Sequence, residues 1–541
     1  MTRSKLWIFP LALTSIIVTS GAIAQKSLPG SFSLGIPSSV AGPLIPSNSV
    51  SQITIGADRT IWIGTGKGLA RMLPVRNGWE SFRTDTAFRS DGIFAVAAGG
   101  SEIWASTGFE KEIDDGTVQT GTGYAFSTDN GTSWTRRDQT LDARGDSILS
   151  YGINDSLRIL PIVVPEQNVT FDISMFNGTV WIASWASGLR KSTDMGQRWE
   201  RILLPPDGRN SISPDDTLWS YAASDTLRTR RIYERFDPRR NNNFLAFSVL
   251  ALDDMNIWCG TAGGINRSTD GGVSWVKYNH TNQASPILGN WVISVQQQVY
   301  QKPTAGTDSV RRIWTTNWQA EGRDEQYGVS YSDDDGRSWV NLLNGVRAYD
   351  FAFRDSIAYI ATNHGVFRTS DGGRSFDQVT DIIEPESRRV VASTSFFSTC
   401  NIDDTVFVGT ADGLAWTVDD PSNPFGSTWE IYRAYQPLSS AAETYAYPNP
   451  FSPNAEPVRI HYAVARGGTS TTTGVRIEIF DFGMNRVRTL INQAPRDLNG
   501  EYDELWDGTD DAGAVVANGV YFYRVDGGSA DPAYGKIIVM Q

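Results

Sequence analysis

The strand Ile257-Trp258-Cys259-Gly260-Thr261 recurs in altered spelling along the chain, and this recurrence constrains the fold more than any other feature. Its copies are Ile61-Trp62-Ile63, Ile103-Trp104-Ala105, Val180-Trp181-Ile182, Ile313-Trp314-Thr315, Ala358-Tyr359-Ile360 and Val406-Phe407-Val408. The aromatic residues stand 42, 77, 77, 56, 45 and 48 residues apart. A base period in the mid-forties suits a four-stranded antiparallel unit, with the longer intervals holding insertions. A second motif follows five of the copies in phase: Ser-x-Asp-x-Gly-x-x-Trp, or a close variant, at Asp129, Asp194, Asp270, Asp334 and Asp371. Its chemistry is that of a turn. The hydroxyl and carboxylate accept from turn amides, the glycine supplies a positive φ, and the aromatic covers the result. The first repeat closes instead on Trp79-Glu80-Ser81-Phe82, and the last on Thr417-Val418-Asp419 with a delayed Trp429.

With both motifs in phase, residues 49–436 resemble the Asp-box (BNR-type) repeat propellers, a repeat shared by sialidases, the sortilin luminal domain and photosystem II assembly factors. The resemblance implies an all-β fold, a seven-bladed β-propeller, in which the five aspartates are structural. Abundant Trp (18) and Gly (51), with few long amphipathic patterns, agree with an all-β chain.

After Tyr435 the composition changes. Residues 437–443 read as a linker, and 444–541 as short alternating strands of an Ig-like β-sandwich. Tyr447-Pro448-Asn449-Pro450-Phe451, Ile479-Phe480-Asp481, Trp506-Asp507-Gly508, Gly519-Val520-Tyr521 and Lys536 before a final apolar strand carry a second resemblance. They look like the FlgD-type Ig-like domain and the C-terminal sorting domain of type IX secretion. That resemblance implies export across the outer membrane of a Bacteroidetes-like bacterium, with the type IX machinery as a partner and a secreted or cell-surface destination. A fixed module and a cleaved sorting signal both remain open.

The beginning of the chain agrees. Arg3 and Lys5 precede an apolar run from Leu6 to Val18, and Ala22-Ile23-Ala24 suits cleavage before Gln25. Residues 1–24 therefore read as a signal peptide and 25–48 as an N-terminal extension. No later stretch is long and apolar enough for a membrane helix. A formal charge of −13 argues against nucleic acid as a partner. Two cysteines, Cys259 and Cys400, cannot organise an exported fold by disulfides. With only His280, His364 and His461 beside them, neither a metal site nor a cofactor is expected.

Propeller topology sorts the loops. Asp-box turns lie at one end of each unit, and the turns between second and third strands lie at the other, with the unit-to-unit connections. The insertions 138–168, 203–243 and 279–290, and the lengthened turns 108–120 and 318–326, are all expected over that second end. Only 296–312 falls on the Asp-box end. Candidate binding residues on the insertion-rich face are Lys67, Trp185, Trp318, His364 and Asp412. The two Trp rings are candidates for stacking on sugar, or else pack under the insertions. Arg228, Arg230, Arg231, Arg235, Arg239 and Arg240 form a basic insertion, suited to an anionic surface or neutralised by acidic neighbours. Asp333–Asp335 and Asp507–Asp511 read as solvated turns without a calcium-ligand series.

Catalysis has weaker support. Arg158-Ile159-Leu160-Pro161 is an imperfect analogue of the sialidase Arg-Ile-Pro motif, and no Ser-His-Asp, Cys-His or phosphate-loop pattern appears. The expected function is binding of a glycan or surface protein. A glycoside hydrolase on the same propeller, or an architectural surface protein, are the alternatives.

Overall fold

The computed structural model describes residues 44–541, apart from 75–77, 83–85, 90, 115, 218–240, 302–308, 321, 386–388, 437, 439, 465–471, 499 and 528–530. The signal-peptide reading and the Arg228–Arg240 cluster lie outside the described residues. The described chain is all-β and divides into two compact units. The first comprises residues 44–380 and 394–414, and the second residues 381–393 and 415–541.

The first unit repeats one plan. In its first sheet, Val50–Ile55, Ile61–Thr65, Gly68–Met72 and Trp79–Ser81 run antiparallel in chain order. Five further sheets follow the same order, and a seventh set begins with Phe396–Ile402 and Thr405–Thr410. The recurring Ile-Trp motif is always the second strand, buried on both faces by its neighbours, which explains its unbroken apolar spelling.

The first strand of each set carries a register shift against the second at the same place. The shifts fall between Val50 and Gln52, Ile93 and Ala95, Thr170 and Asp172, Ala246 and Ser248, Val292 and Val295, Ala348 and Asp350, and Phe396 and Ser398. A bulge repeated this way bends each inner strand and re-aims the extra residue.

Seams between sheets are polar as well as apolar. The Ser51 hydroxyl donates to Ile93 O at 3.0 Å, and the Ser106 hydroxyl to Thr170 O at 2.8 Å. Asp172 accepts from the Val249 amide at 2.9 Å, and Asp350 accepts from the Gln296 side chain at 2.7 Å and the Thr399 amide at 3.1 Å. The ring closes where Arg59 pairs with Asp403 and the Gly413 amide donates to Asn48 O at 2.6 Å.

In the second unit, two sheets share one core. Thr444–Tyr447, Val458–Ala463 and Glu501–Trp506 form one, and Arg486–Asp497, Thr472–Phe480, Gly519–Asp526 and Ala533–Val539 the other. Val458, Ile460 and Tyr462 meet Val475, Ile477 and Ile479, with Phe451 and Trp506 in the same core. The Tyr-Pro-Asn-Pro-Phe run pins the last strand: the Asn449 side chain donates to Lys536 O at 2.8 Å and accepts from the Ile538 amide at 2.9 Å.

His461, 1% exposed, is held between Asp503 and Glu501, each at 2.9 Å, under the rings of Tyr435 and Tyr445. Burial pushes its pKa down, but the two carboxylate hydrogen bonds outweigh burial and hold it up at about 9. At neutral pH it is a cation locked between anions, which is a structural arrangement.

Candidate functional site

The Asp-box turns can be judged first. Asp129 accepts from the Ser127 hydroxyl at 2.7 Å, the Ser133 amide at 2.8 Å and the Ser133 hydroxyl at 2.6 Å. The Ser127 oxygen in turn accepts from the Gly131 amide at 2.8 Å. Equivalent hydroxyl and amide bonds surround Asp194, Asp270, Asp334 and Asp371. The Ser133 hydroxyl and amide, with Ser127, hold the Asp129 carboxyl down at about 2. These carboxylates are spent on their own turns. Among the described residues, no group of three or more His, Cys, Asp or Glu is placed to hold a metal.

The box glycine does more than turn the chain. In four of the five boxes it lies against the second-strand Trp of the preceding sheet, whereas Gly373 lies against Leu342. A Cβ on Gly131 would run into Trp62, one on Gly272 would stand 2.7 Å from Trp181, and ones on Gly196 and Gly336 would stand 3.1 Å from Trp104 and Trp258. Third-strand cations close the joint. Arg71 lies 5.6 Å from the Trp62 ring and donates to Asn130 O at 2.7 Å. Arg267 lies 5.2 Å from the Trp258 ring and reaches Asp335 O at 3.4 Å. At these four seams the two sequence motifs interlock, which accounts for their recurring in phase.

At the opposite end, the turns between second and third strands share a device that the sequence reading missed, Thr-x-x-Gly. The hydroxyls of Thr65, Thr261, Thr362 and Thr410 donate to the carbonyls of Gly68, Gly264, Gly365 and Gly413 at 2.8–2.9 Å. The same oxygens accept the amides of Lys67, Gly263, His364 and Asp412 at 3.2, 3.1, 3.0 and 2.9 Å. Lys67, His364 and Asp412 thus occupy one equivalent position, and it is their backbone that the turn uses. His364 is exposed, with Nδ1 2.8 Å from Asn363 Oδ1, while Lys67 and Asp412 are half-buried.

The bulges decide what happens between the two ends. The extra residues Phe94, Phe171, Phe247, Tyr349 and Phe397 turn into one apolar cluster with Ile293, Trp291, Trp318 and Trp185. Because each bulge lies near the start of its inner strand, this cluster plugs the channel at the end of the Thr-x-x-Gly turns.

Of the two alternatives for these rings, sugar stacking or packing, Trp318 takes packing. Trp318 is 0% exposed, donates to Ala348 O at 3.0 Å, lies against Tyr349 and Tyr327, and is covered by Arg347 at 5.2 Å. Trp185 is half-buried against Phe247 and Trp291. Five inner strands supply aromatics at their bulges, and Trp318 fills the space among them.

Beyond the plug the channel opens. A cavity of about 570 Å³ is lined by all seven inner strands, from Tyr349 and Phe397 outward to Ile55, Leu252 and Phe353. Its polar lining includes Gln52, Thr54, Ser174, Gln296, Thr399 and Asn401, and among the described residues its formal charges are Asp172 and Asp350. The sequence signal for it was a polar residue just past some of the inner aromatics, as in Phe171-Asp172 and Tyr349-Asp350. Set in apolar strands, these read as ordinary alternation.

The insertions also depart from expectation. Residues 138–168 do not all gather over the insertion-rich end. Their hairpin, Ile148–Tyr151 with Asn154–Arg158, runs down the outer rim. The Arg201 guanidinium donates to Asp146 O at 2.9 Å, and the Tyr151 hydroxyl to Val273 O, inside an Asp-box turn, at 2.6 Å. Leu157 joins Leu203, Leu204, Ile212 and Phe244 in one core, and Ser211–Ile212 adds a fifth strand beside Trp275–Tyr278. Short outer strands leave open edges, and the inserted chain covers them. Arg190, 3% exposed, is paired with Asp142 of the same insertion at 2.8 Å.

No protein-family description matches the sequence, and no curated protein matches it. Solved structures similar to it include PorZ, described as an essential bacterial surface component of the type IX secretion system of Porphyromonas gingivalis. The likeness has 15% identity and a TM-score of 0.33, over 89% of this chain and 64% of that one, so the chain spans less than two thirds of that protein. A second is YCF48 from Cyanidioschyzon merolae, with 15% identity and a TM-score of 0.40, over 71% of this chain and 98% of that one. A third is the Niastella koreensis GH74 enzyme, with 13% identity and a TM-score of 0.45, over 93% and 75%. All three TM-scores are below 0.5, and the arrangement rests instead on the ring of inner strands and its seams. Among the described residues no helix is long and apolar enough to cross a membrane, which leaves β-barrel spans unaddressed. The sheet order, the seams and the common channel make this an all-β protein of β-propeller architecture.

Proposed function

We propose that this chain is an exported binding protein: a seven-bladed Asp-box propeller followed by an Ig-like C-terminal domain that directs type IX secretion. Its ligand enters the channel from the Asp-box end. The observation that carries this reading is the channel itself, closed by aromatics at one end and opening at the other into a polar cavity formed by every inner strand. A size of several hundred Å³ with convergent polar groups is that of a ligand site. Binding is favoured over glycoside hydrolysis because Asp172 and Asp350, the cavity's two carboxylates, both hold backbone amides of the next sheet.

Glycan and peptide arrays on the full chain test the reading. A ligand retained by the native protein should be lost on Thr54→Trp, which fills the cavity, and kept on Trp185→Ala. The reverse pattern would return the site to the insertion-rich end. For the C-terminal domain, removal of residues 444–541 should leave the propeller in the periplasm of a type IX-secreting host, and unimpaired export would sink that part.

A further inference from the structure

The described lining of the channel cavity carries one sign of charge, and the turns at its mouth are predominantly acidic. Among the described residues no Lys or Arg lines the cavity, while Asp172 and Asp350 do, from the third and sixth inner strands. The turns that follow the inner strands ring the open end, and they carry Asp58, Asp253, Asp254, Asp355, Asp403 and Asp404. Against these stand Arg59, which pairs with Asp403, Arg354, and Arg311 near Asp253 on the long hairpin. A cleft walled by protein and lined by one sign of charge focuses its field and raises the local concentration of counter-ions. The remaining lining, amides and hydroxyls from Gln52, Thr54, Ser174, Gln296, Thr399 and Asn401, supplies acceptors for N–H donors around a cation. The aromatic plug behind it gives an apolar floor for the carbon stem of such a group.

We propose that the cavity binds an organic cation, an alkylammonium or guanidinium group on an extended stem, entering from the acidic end. This rests on the channel reading of the preceding section and names its ligand class. A free polyamine and the basic side chains of a partner segment present the same chemistry.

Isothermal titration of the full chain with spermine, tetra-arginine amide and uncharged maltotetraose tests it. At least one cation should bind at a stoichiometry of one, more weakly as salt rises. Gln52→Lys, which puts a positive charge on the lining without touching the seam bonds, should weaken binding at least about 10-fold, as should Asp350→Asn. Glu112→Gln, on the hairpin at the plugged end, should leave binding unchanged. Spermine binding alone would assign the free polyamine, and peptide binding alone the partner segment. If both cations bind but Gln52→Lys changes nothing, the assignment to this cavity is overturned. If neither binds while maltotetraose does and is lost on Gln52→Lys, the cation inference falls and the cavity stands as a site. If none of the three binds, both fall. A Gln52→Lys melting curve matching the native one keeps a folding defect from mimicking lost binding.

Discussion

The two ends of the channel are built from the same seven inner strands, yet one is a core and the other a vessel. At the plugged end, the bulge turns aromatics inward, and they find one another with Trp318 among them. Past the bulge, the same strands present Gln52, Asp172, Ser174, Gln296 and Asp350 to open space. A one-residue offset exchanges which side chains face the axis. The lesson is that a conspicuous aromatic near a propeller mouth marks packing when the strand beneath it bulges. The less conspicuous polar residues beyond it mark the space a ligand can occupy.

The sharpest way to break this contrast is to remove the plug. Trp318→Ala deletes a fully buried ring and leaves its hydrogen-bond acceptor Ala348 O unmet, so it should cost about 3–5 kcal/mol in denaturant unfolding. Gln52→Lys at the other end should stay within about 0.5 kcal/mol of the native protein. Equal losses would mean that the two ends do not differ in kind. Next in size, Gly272→Ala forces a Cβ to within 2.7 Å of Trp181 at a φ of 89°, and should cost roughly 1–3 kcal/mol. Gly100→Ala, at a positive φ but with open space around it, should cost less. If Gly100→Ala proved the more damaging, the interlock between box and Trp would not be what holds the seam.

Much of the architecture was legible because it repeats. The Ile-Trp strand and the Asp-box announce themselves by period, and both serve local geometry that sequence spacing encodes directly. The cavity was not legible, because it depends on the bulge, and a bulge has no residue signature here: Ser51, Phe94 and Tyr349 all occupy it. The rim course of residues 138–168 was hidden for a different reason. Topology tells at which end an insertion leaves the sheet, but the apolar contacts of Leu157 and Ile212 tell where it goes. Lys67, His364 and Asp412 were chosen as loop side chains, whereas the turn depends on the threonine two residues before each.

Thr362→Val removes the partner of the Gly365 carbonyl and the His364 amide in a part-buried turn, and should cost about 1–2 kcal/mol, whereas His364→Ala should be near neutral. A larger loss for His364→Ala would restore a role for its imidazole. The smallest expected effect separates the ends by pH. Asp129 is held at about 2 against an ordinary 3.8, so its turn is stabilised above the ordinary value and loses that contribution as pH falls through 2. Asp371 is depressed in the same direction and for the same reason, through Ser375. Two amides at the Thr-x-x-Gly end are held without a carboxylate: those of Trp185 and Ala262 donate to the backbone carbonyls of Val169 and Leu245. On acidification from pH 4 to pH 2, hydrogen exchange should therefore lose protection first at the Ser133 and Ser375 amides, while Trp185 and Ala262 keep theirs. Simultaneous loss at both ends would show that the boxes share the global unfolding of the ring, and that their charge adds no local stability of its own.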